Sequence, residues 1–170
     1  MEVGFRRLRL GQKQDTGGKL ALSGNADQRI LEALLEHPYF LMEAPKSLDR
    51  NQFELTPVLR LSSADGAATL SAFTAEAVTS SVELPPEPPL LWLVTGGGRH
   101  NQALMRELSR RLGTEVKPVE ESGWQGDALE VQAFGYLAVR SVMGLPLSLP
   151  STTGVPLPLS GGVLHGGSEI

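Results

Sequence analysis

Three consecutive glycines, Gly96, Gly97 and Gly98, are the most informative candidates for ligand binding in this chain. Glycine lets the backbone approach a ligand closely, and the helix predicted over residues 101–112 would direct its N-terminal N–H groups toward a polar or anionic group. However, no Gly-Lys-Ser or Gly-Lys-Thr follows, as in a Walker loop, and Asn101 stands where the dinucleotide fingerprint has its third glycine. The glycines therefore indicate either a tight structural turn or a ligand contact.

Two carboxylates, Asp127 and Glu130, lie three residues apart at the start of a predicted helix. They could face a polar ligand. The spacing by itself favours a structural interpretation, in which Asp127 caps the helix and Glu130 interacts with the helix dipole, each contributing about 0.3–1 kcal/mol. Trp124, in the loop before them, could stack on a sugar or a base, but we expect it to be buried against the helix that carries Phe134.

The histidines do not predict a metal site, because His37, His100 and His165 are far apart and none has a partner at metal-ligand spacing. We expect them on the surface or at helix ends, and we keep only His100, next to the glycines, as a candidate ligand neighbour. Lys46 and Arg50 could hold an anion between them, although two cations four residues apart in a polar loop are usually solvated.

The elements that must position these groups follow from hydrophobic spacing. Helical spacing in the last predicted helix turns Leu129, Ala133, Phe134, Leu137 and Ala138 toward a core. A strand, a helix and a second strand predict a right-handed parallel crossover, and the helix before the first strand should cover it. The predicted elements are a helix that follows Asn25 and Asp27 and stops at His37, a helix capped by Asp65, a strand from Leu90, a helix over 101–112, a strand over 114–119 and a helix from Asp127.

The composition excludes several classes of protein. With 170 residues, of which 41% are hydrophobic and 20% charged, the chain can bury one core. A net charge of −4 and a single short basic cluster disfavour nucleic-acid binding. The absence of cysteine excludes disulfides, thiolate zinc sites and a cysteine nucleophile. No apolar run reaches the roughly 20 residues needed to span a bilayer and no signal peptide is recognisable, so we expect no membrane partner and a cytoplasmic protein.

Six short motifs combine into a more specific pattern. They occupy residues 15–21, 38–40, 45–47 with Arg50 and Phe53, 94–101 with Leu104 and Met105, 123–130 with Ala133 and Phe134, and 149–154. In this order and at these intervals, they resemble the C-terminal part of the anhydro-N-acetylmuramic acid kinases. The resemblance covers nearly the whole chain from Asp15 onward. Each motif is weak, and the combination is specific.

The resemblance implies an α/β fold, namely one lobe of the two-lobed actin-like (ribonuclease H-like) sugar-kinase architecture, with a sheet flanked by helices. The implied cofactors are ATP and Mg²⁺, and the implied partner is an amino-sugar substrate. In the family reaction, water opens the 1,6-anhydro ring and the γ-phosphoryl group goes to the 6-oxygen, which gives N-acetylmuramic acid 6-phosphate in peptidoglycan recycling. By resemblance, the nucleotide contacts are Gly96, Gly97, Gly98 and Asn101, and the sugar contacts are Glu130 and Asp127.

The departures from the family pattern limit what this chain can do. The family's N-terminal lobe supplies a Gly-Thr-Met-Ser-Gly-Thr phosphate loop and an aspartate base, neither of which occurs here, and Leu48-Asp49 replaces the Thr-Gly of many members. We therefore expect an unusual leader at 1–14, a C-terminal kinase lobe at 15–144 and a Gly/Pro-rich tail at 145–170 that packs on the lobe. We also expect no catalytic residue and no activity without the N-terminal lobe, supplied in cis or in trans, and a homodimer for the intact enzyme. The alternatives are a non-catalytic regulatory or interaction module derived from the lobe, and an unrelated nucleotide-binding α/β domain.

Overall fold

The computed structural model describes residues 14–82, 84–85 and 87–166, so the predicted leader lies outside it except for Gln14. The described residues form an α/β unit of helices and a small parallel sheet. Its regular elements are the helices α1 (Lys19–Leu22), α2 (Gln28–Leu35) and α3 (Ser63–Thr79), the strand β1 (Leu91–Val94), the helix α4 (Gln102–Leu112), the strand β2 (Glu115–Pro118), and the helices α5 (Leu129–Val142) and α6 (Pro150–Thr153).

The helix α2 forms as predicted from its cap and its spacing. The side chain of Asp27 accepts a hydrogen bond from the backbone N–H of Ile30 at 3.0 Å, which satisfies one of the free donors at the start of the helix. Leu31 and Leu34 are buried one turn apart on the same face. The local sequence therefore determines both where this helix begins and which face it buries.

The cap of α3 differs from the prediction. The capping residue is Ser62, whose Oγ accepts a hydrogen bond from the backbone N–H of Asp65 at 3.1 Å, and Asp65 lies inside the first turn. The Asp65 carboxylate instead accepts a hydrogen bond from the backbone N–H of Asn25 at 2.8 Å, and this bond is the main reason why the pKa of Asp65 lies below its usual value. The expected cap is wrong because a contact distant in sequence uses its carboxylate.

The large apolar residues form one core around α3. The ring of Phe73 is fully buried and meets the rings of Phe40 and Phe53 edge-on, at centroid distances of 6.0 and 5.1 Å. Phe53 thus packs against the core. The other buried members of this cluster are Leu31, Leu34, Val58, Leu70 and Ala72.

A second, smaller cluster brings three helices close together. Ala67 of α3, Ala103 of α4 and Ala21 of α1 are all buried and in contact. Small side chains let helix backbones approach closely, so α3 packs directly against α1 and α4. The helix α2 also packs against α3. The helix α3 is consequently buried on nearly all sides over its middle turns, as expected for the centre of a domain.

The strands β1 and β2 pair in parallel, with Leu91 opposite Glu115, and α4 connects them. The predicted strand–helix–strand unit is therefore confirmed, and the sheet has two strands within the described residues. The prediction that the preceding helix covers β1 is wrong for one face of the strand, where Leu91 and Leu93 are 40% and 36% exposed. The reason is that α3 packs chiefly against helices.

The helix α5 departs most from the prediction. It begins at Leu129 after Ala128, with no side-chain cap, and none of its residues, all of which the structure describes, is buried. Phe134, expected in the core, is 65% exposed. The apolar spacing correctly indicates a helix, but the predicted core face is wrong because the other described helices pack around α3 and leave α5 outside.

The segment after α5 folds back onto that helix. Ser148 and Leu159 form an isolated antiparallel bridge, and Arg140 of α5 donates a hydrogen bond from Nε to the carbonyl of Pro146 at 2.8 Å. Ser141 also donates to the carbonyl of Gly161. The division into a lobe and a tail at residue 145 stays a prediction. No helix within the described ranges is both long and apolar enough to cross a bilayer.

We expect Asp15→Ala to destabilise the chain by about 1–3 kcal/mol. The buried carboxylate of Asp15 accepts the backbone N–H groups of Leu20 and Ala21, each at 3.0 Å, and the substitution leaves both donors without this acceptor. The free energy of unfolding from urea titration measures the effect. Asp49→Ala is the matched control, because Asp49 is exposed and accepts the backbone N–H of Asn51, and equal losses in the two variants would contradict this account.

Candidate functional site

The glycine turn, defined as residues 96–98, lies between the carboxyl end of β1 and α4. Gly96 has φ 69° and ψ −174°, a backbone conformation that is essentially restricted to glycine, and a single 3₁₀ turn over Gly97–His100 follows. Asn101 then caps α4 by accepting the backbone N–H of Leu104 at 3.1 Å. The sequence therefore correctly predicts a turn that only glycine can form at its first position.

The three glycines are not equally required by the fold. A side chain on Gly98 would crowd Leu104 at 3.2 Å, whereas a side chain on Gly97 would meet nothing within 4 Å. Gly97 also lacks a positive φ, so its backbone does not need glycine. Neither conformation nor packing within the described chain thus requires a glycine at position 97, and its small size is available for contact with a ligand.

Asn101 joins the glycine turn to the segment before α1. A Cβ atom on Gly18, which has φ 71°, would collide with the side chain of Asn101, so these two residues are in direct van der Waals contact. Gly18, which belongs to the motif over residues 15–21, therefore packs against the residue that follows the glycine turn region, Asn101, although 83 positions separate the two along the chain.

Arg99 is the residue that organises this site. Its side chain is 2% exposed, and its guanidinium donates to the Gly96 carbonyl at 2.7 Å, to Glu120 Oε1 at 2.7 Å and to Asp127 Oδ1 at 2.6 Å. A buried guanidinium is stable only with such partners. These bonds tie the glycine turn to the loop after β2 and to the residues just before α5.

Gly126 completes this cluster. The hydroxyl of Thr95, at the end of β1, donates to the Gly126 carbonyl at 3.3 Å. A Cβ atom on Gly126 would lie 2.6 Å from Arg99 Nε and 2.7 Å from Glu120 Oε1. The backbone of Gly126 therefore lies directly against the ion pair, and the loop before α5 has a fixed position relative to β1.

The cluster keeps its acids ionised. The hydrogen bond from Arg99, with the attraction between the two charges, holds the pKa of Asp127 below its usual value. The pKa of Glu120 is lowered first by its own backbone N–H and, next among the favourable interactions, by Arg99. The two carboxylates in turn raise the pKa of the Arg99 guanidinium. Asp127 is thus a carboxylate, and its side chain is 86% exposed.

The predicted site residues therefore come together in part. Asp127 lies beside the glycine turn through Arg99, and the prediction that it caps α5 is wrong because its Oδ1 binds the guanidinium instead. Glu130 is exposed in the first turn of α5, where the helix dipole favours an acid. Within the described residues, no hydrogen bond or ion pair links Glu130 to the glycine turn.

An open depression of about 570 Å³ lies beside Asp127. Trp124 lines it and is 58% exposed, so the expected burial of Trp124 against α5 is wrong. An exposed indole next to ionised carboxylates offers an apolar face and polar acceptors together, which suits a sugar ring and its hydroxyl groups. The depression is lined by Glu120, Trp124, Gln125, Gly126, Asp127, Ala128 and Val131.

Outside this cluster, Lys46 and His37 have structural surroundings, whereas the side chain of Arg50 lies outside what the structure describes. Lys46 is half-buried and donates to the carbonyls of Tyr39 and Phe40 at 3.0 and 3.3 Å, so two of its three donors bind the backbone. His37 accepts the backbone N–H of Tyr39 at 3.2 Å, as a helix-end residue does. His100 is exposed, with Nε2 at 4.0 Å from Asp127 Oδ1, and stays the candidate ligand neighbour.

The described residues do not form a magnesium site by themselves. Among residues 14–82, 84–85 and 87–166, no group of three histidine or acidic side chains is close enough to hold a metal ion. Asp127 already shares one oxygen with Arg99. Magnesium prefers several oxygen ligands in an octahedron, which these side chains do not supply.

Sequence reasoning missed Arg99 and Glu120. An arginine beside glycines gives no local signal of burial, because its two acidic partners lie 21 and 28 residues further along the chain. Burial of the guanidinium depends on the crossover that returns the chain to the same edge of the sheet. A pattern confined to one helix or strand cannot report this contact.

The fold and the site define an α/β domain whose candidate site lies at the carboxyl end of a parallel strand, the usual place for ligands in such folds. The chain belongs to the anhydro-N-acetylmuramic acid kinase family, whose sequence model matches residues 5–166. The predicted family is therefore confirmed.

Individual relatives agree with this assignment. The anhydro-N-acetylmuramic acid kinase of Rhodospirillum rubrum is 58% identical over 158 residues, which cover 93% of this chain and 42% of the relative. Those of Caulobacter vibrioides and Acidiphilium cryptum are 53% and 54% identical, with 89% and 92% of this chain covered and 41% and 44% of the relatives. The chain thus spans about two fifths of the length of these curated relatives.

We expect Arg99→Met to lower the urea midpoint of unfolding at pH 7, because it removes the shared partner of Glu120 and Asp127. Glu120 and Asp127 have lowered pKa values in the folded chain, so they add to the free energy of unfolding above their unfolded pKa of about 4. This contribution is lost as the pH falls through the folded pKa values. The difference between wild type and variant should therefore shrink as the pH falls from about 6 to 3.

Arg110→Met serves as the control for this experiment. Its side chain is 58% exposed and pairs with Glu107 on the helix surface, an arrangement that contributes little to stability. We expect the Arg110 variant to unfold close to the wild-type midpoint at every pH. An Arg99 variant that does the same would show that the cluster does not stabilise the glycine turn.

Proposed function

We propose that this chain is the part of an ATP-dependent anhydro-N-acetylmuramic acid kinase that forms one wall of its cleft, in a lobe of the actin-like architecture. The observation that carries the proposal is the Arg99 cluster, which holds the glycine turn and Asp127 at one edge of the domain. A nucleotide on the glycines and an amino sugar near Asp127 would then lie side by side, as phosphoryl transfer between them requires.

On the nucleotide side, we propose that residues 96–98 and Asn101 contact ATP through backbone and amide groups. Support comes from Gly97, where the fold leaves open space and does not itself need glycine. Asn101 caps α4 next to this space and keeps the turn against Gly18. ATP would bring its own Mg²⁺, with the remaining metal ligands supplied by the phosphates and by the rest of the enzyme.

On the sugar side, we propose that Asp127 and Glu130 accept hydrogen bonds from the amino sugar and that Trp124 packs against its ring. Support comes from Asp127 and Trp124, which line the open depression and are exposed, and from the exposure of Glu130 in the first turn of α5. Asp127 is ionised through Arg99, so it can accept but not donate. These groups bind and orient the sugar, and they carry no proton in the reaction.

In the proposed reaction, water adds across the 1,6-anhydro bridge and the γ-phosphoryl group of ATP goes to the released 6-oxygen, with ADP as the second product. The product, N-acetylmuramic acid 6-phosphate, would enter recycling of the cell wall. The family's phosphate loop and aspartate base do not occur in these 170 residues. We therefore propose that the chain has no turnover until the remaining part of the enzyme is present.

We expect Glu130→Gln to lower kcat/KM for the sugar by roughly 10- to 150-fold, the equivalent of a charge-assisted hydrogen bond of about 1.5–3 kcal/mol. The enzyme for this test is a chimera in which this chain replaces the matching segment of the Rhodospirillum rubrum relative. ADP release, measured with sugar and Mg-ATP, gives the rate, and the isolated chain is the blank.

Glu36→Gln is the control, because Glu36 is also an exposed glutamate, at the end of α2. It should leave kcat/KM for the sugar unchanged. A Glu130 variant with an unchanged specificity constant would remove Glu130 from the sugar site. A fall in kcat/KM for ATP with no change in kcat/KM for the sugar would place Glu130 on the nucleotide side.

We expect Gly97→Ala in the same chimera to raise KM for ATP by about tenfold, equivalent to 1.4 kcal/mol, without lowering the unfolding temperature. The methyl group fits the free fold but occupies the space proposed for the nucleotide. Gly166→Ala, also at a position with open space and no positive φ, should change neither quantity. An unchanged KM for Gly97→Ala would mean that the turn is purely structural.

A further inference from the structure

One face of α5 is a continuous apolar stripe that the described chain leaves exposed. The stripe consists of apolar residues spaced three and four positions apart, a spacing that places them on one side of the helix. Four of them are 73%, 65%, 58% and 69% exposed, at Val131, Phe134, Val139 and Val142. The α5 stripe comprises Val131, Phe134, Gly135, Ala138, Val139 and Val142.

The charged residues of α5 lie off this stripe. Glu130 and Arg140 are the charged side chains in the helix, and helical spacing places both on other faces. Arg140 turns toward the segment that follows, where it donates to the Pro146 carbonyl at 2.8 Å. The segment after α5 thus bonds Arg140 and Ser141, neither of which belongs to the stripe.

A helix with such a stripe is ordinarily buried against another element, since exposed apolar surface is unfavourable in water. Gly135 and Ala138 in the middle of the stripe leave its centre flat, and Phe134 projects beside them. This shape lets another backbone approach closely with an apolar surface of its own. The stripe is thus suited to a stable packing partner and not to solvent.

We propose that the α5 stripe is the surface on which the remainder of the family-length polypeptide packs. The chain covers 42% of the Rhodospirillum rubrum relative, so more than half of that polypeptide lies outside it. The stripe also begins one turn beyond Asp127, at the acidic end of the candidate site. A partner seated on it would therefore close over the same edge that the Arg99 cluster builds.

The remainder of the polypeptide is favoured over a second copy of the chain, because more than half of the relative's length lies outside this chain and a two-walled cleft needs that part to meet this edge. A second copy is an outcome of the test. The packing proposal rests on the proposed cleft as well as on family membership and exposed surface, and its test uses stability and not turnover, so the two can fail separately.

The test compares Phe134→Glu in the isolated chain and in the chimera with the Rhodospirillum rubrum relative. Phe134 is 65% exposed in this chain, so the unfolding temperature of the isolated variant should stay within about 1 °C of wild type. In the chimera, where the proposal buries the stripe, the same change should lower the unfolding temperature by at least about 3 °C. Leu41→Glu, at a side chain that is 89% exposed and lies outside α5, should leave the unfolding temperature of both proteins unchanged.

Equal and small shifts in both proteins overturn the proposal. A chimera that sediments as a dimer and dissociates with Phe134→Glu, while its unfolding temperature is unchanged, overturns it in favour of a second copy. If the chimera does not fold, the isolated chain is titrated with the separately expressed remainder of the relative. Phe134→Glu should then weaken binding at least tenfold, and equal affinity for wild type and variant overturns the proposal.

Discussion

The buried guanidinium of Arg99 is the constraint on which the candidate site depends. A charge that is 2% exposed must be neutralised and hydrogen-bonded, and its three partners come from the glycine turn, the loop after β2 and the residues before α5. Because these segments are joined to one group, none can move without breaking a charge-assisted bond. The glycine turn, Glu120 and Asp127 are therefore held together at one edge of the domain.

This edge is supported by a core that lies on one side of it. The helix α3 is enclosed by α1, α2 and α4, with the aromatic rings around Phe73 on one flank and small alanines on the other. The same packing leaves Leu91 and Leu93 of β1 exposed and buries no residue of α5. These uncovered apolar elements beside the candidate site agree with the proposal that the chain forms one wall of a cleft. The two-fifths share of the relatives' length agrees with this view.

Local signals predicted elements well and contacts poorly. Asp27 begins α2, the glycines end β1, and Leu31 and Leu34 face the core as their spacing indicates, because these features depend on neighbours within a few residues. The assignment of Asp65 and Asp127 as caps was wrong, because each carboxylate bonds a group that lies 40 or 28 residues away. The apolar period of α5 predicted a helix and a core face, yet periodicity cannot say whether the partner of that face is present in the chain.

The sequence by itself determined the family, the order of the elements and the need for glycine at position 96, because combined motifs and backbone sterics act locally. Only the tertiary structure decided that Arg99 is buried, that Trp124 and the α5 stripe are exposed and that Gly97 is free of packing. Burial is a property of what surrounds a residue. It is set by how distant segments share one core, and a pattern along the chain does not contain that information.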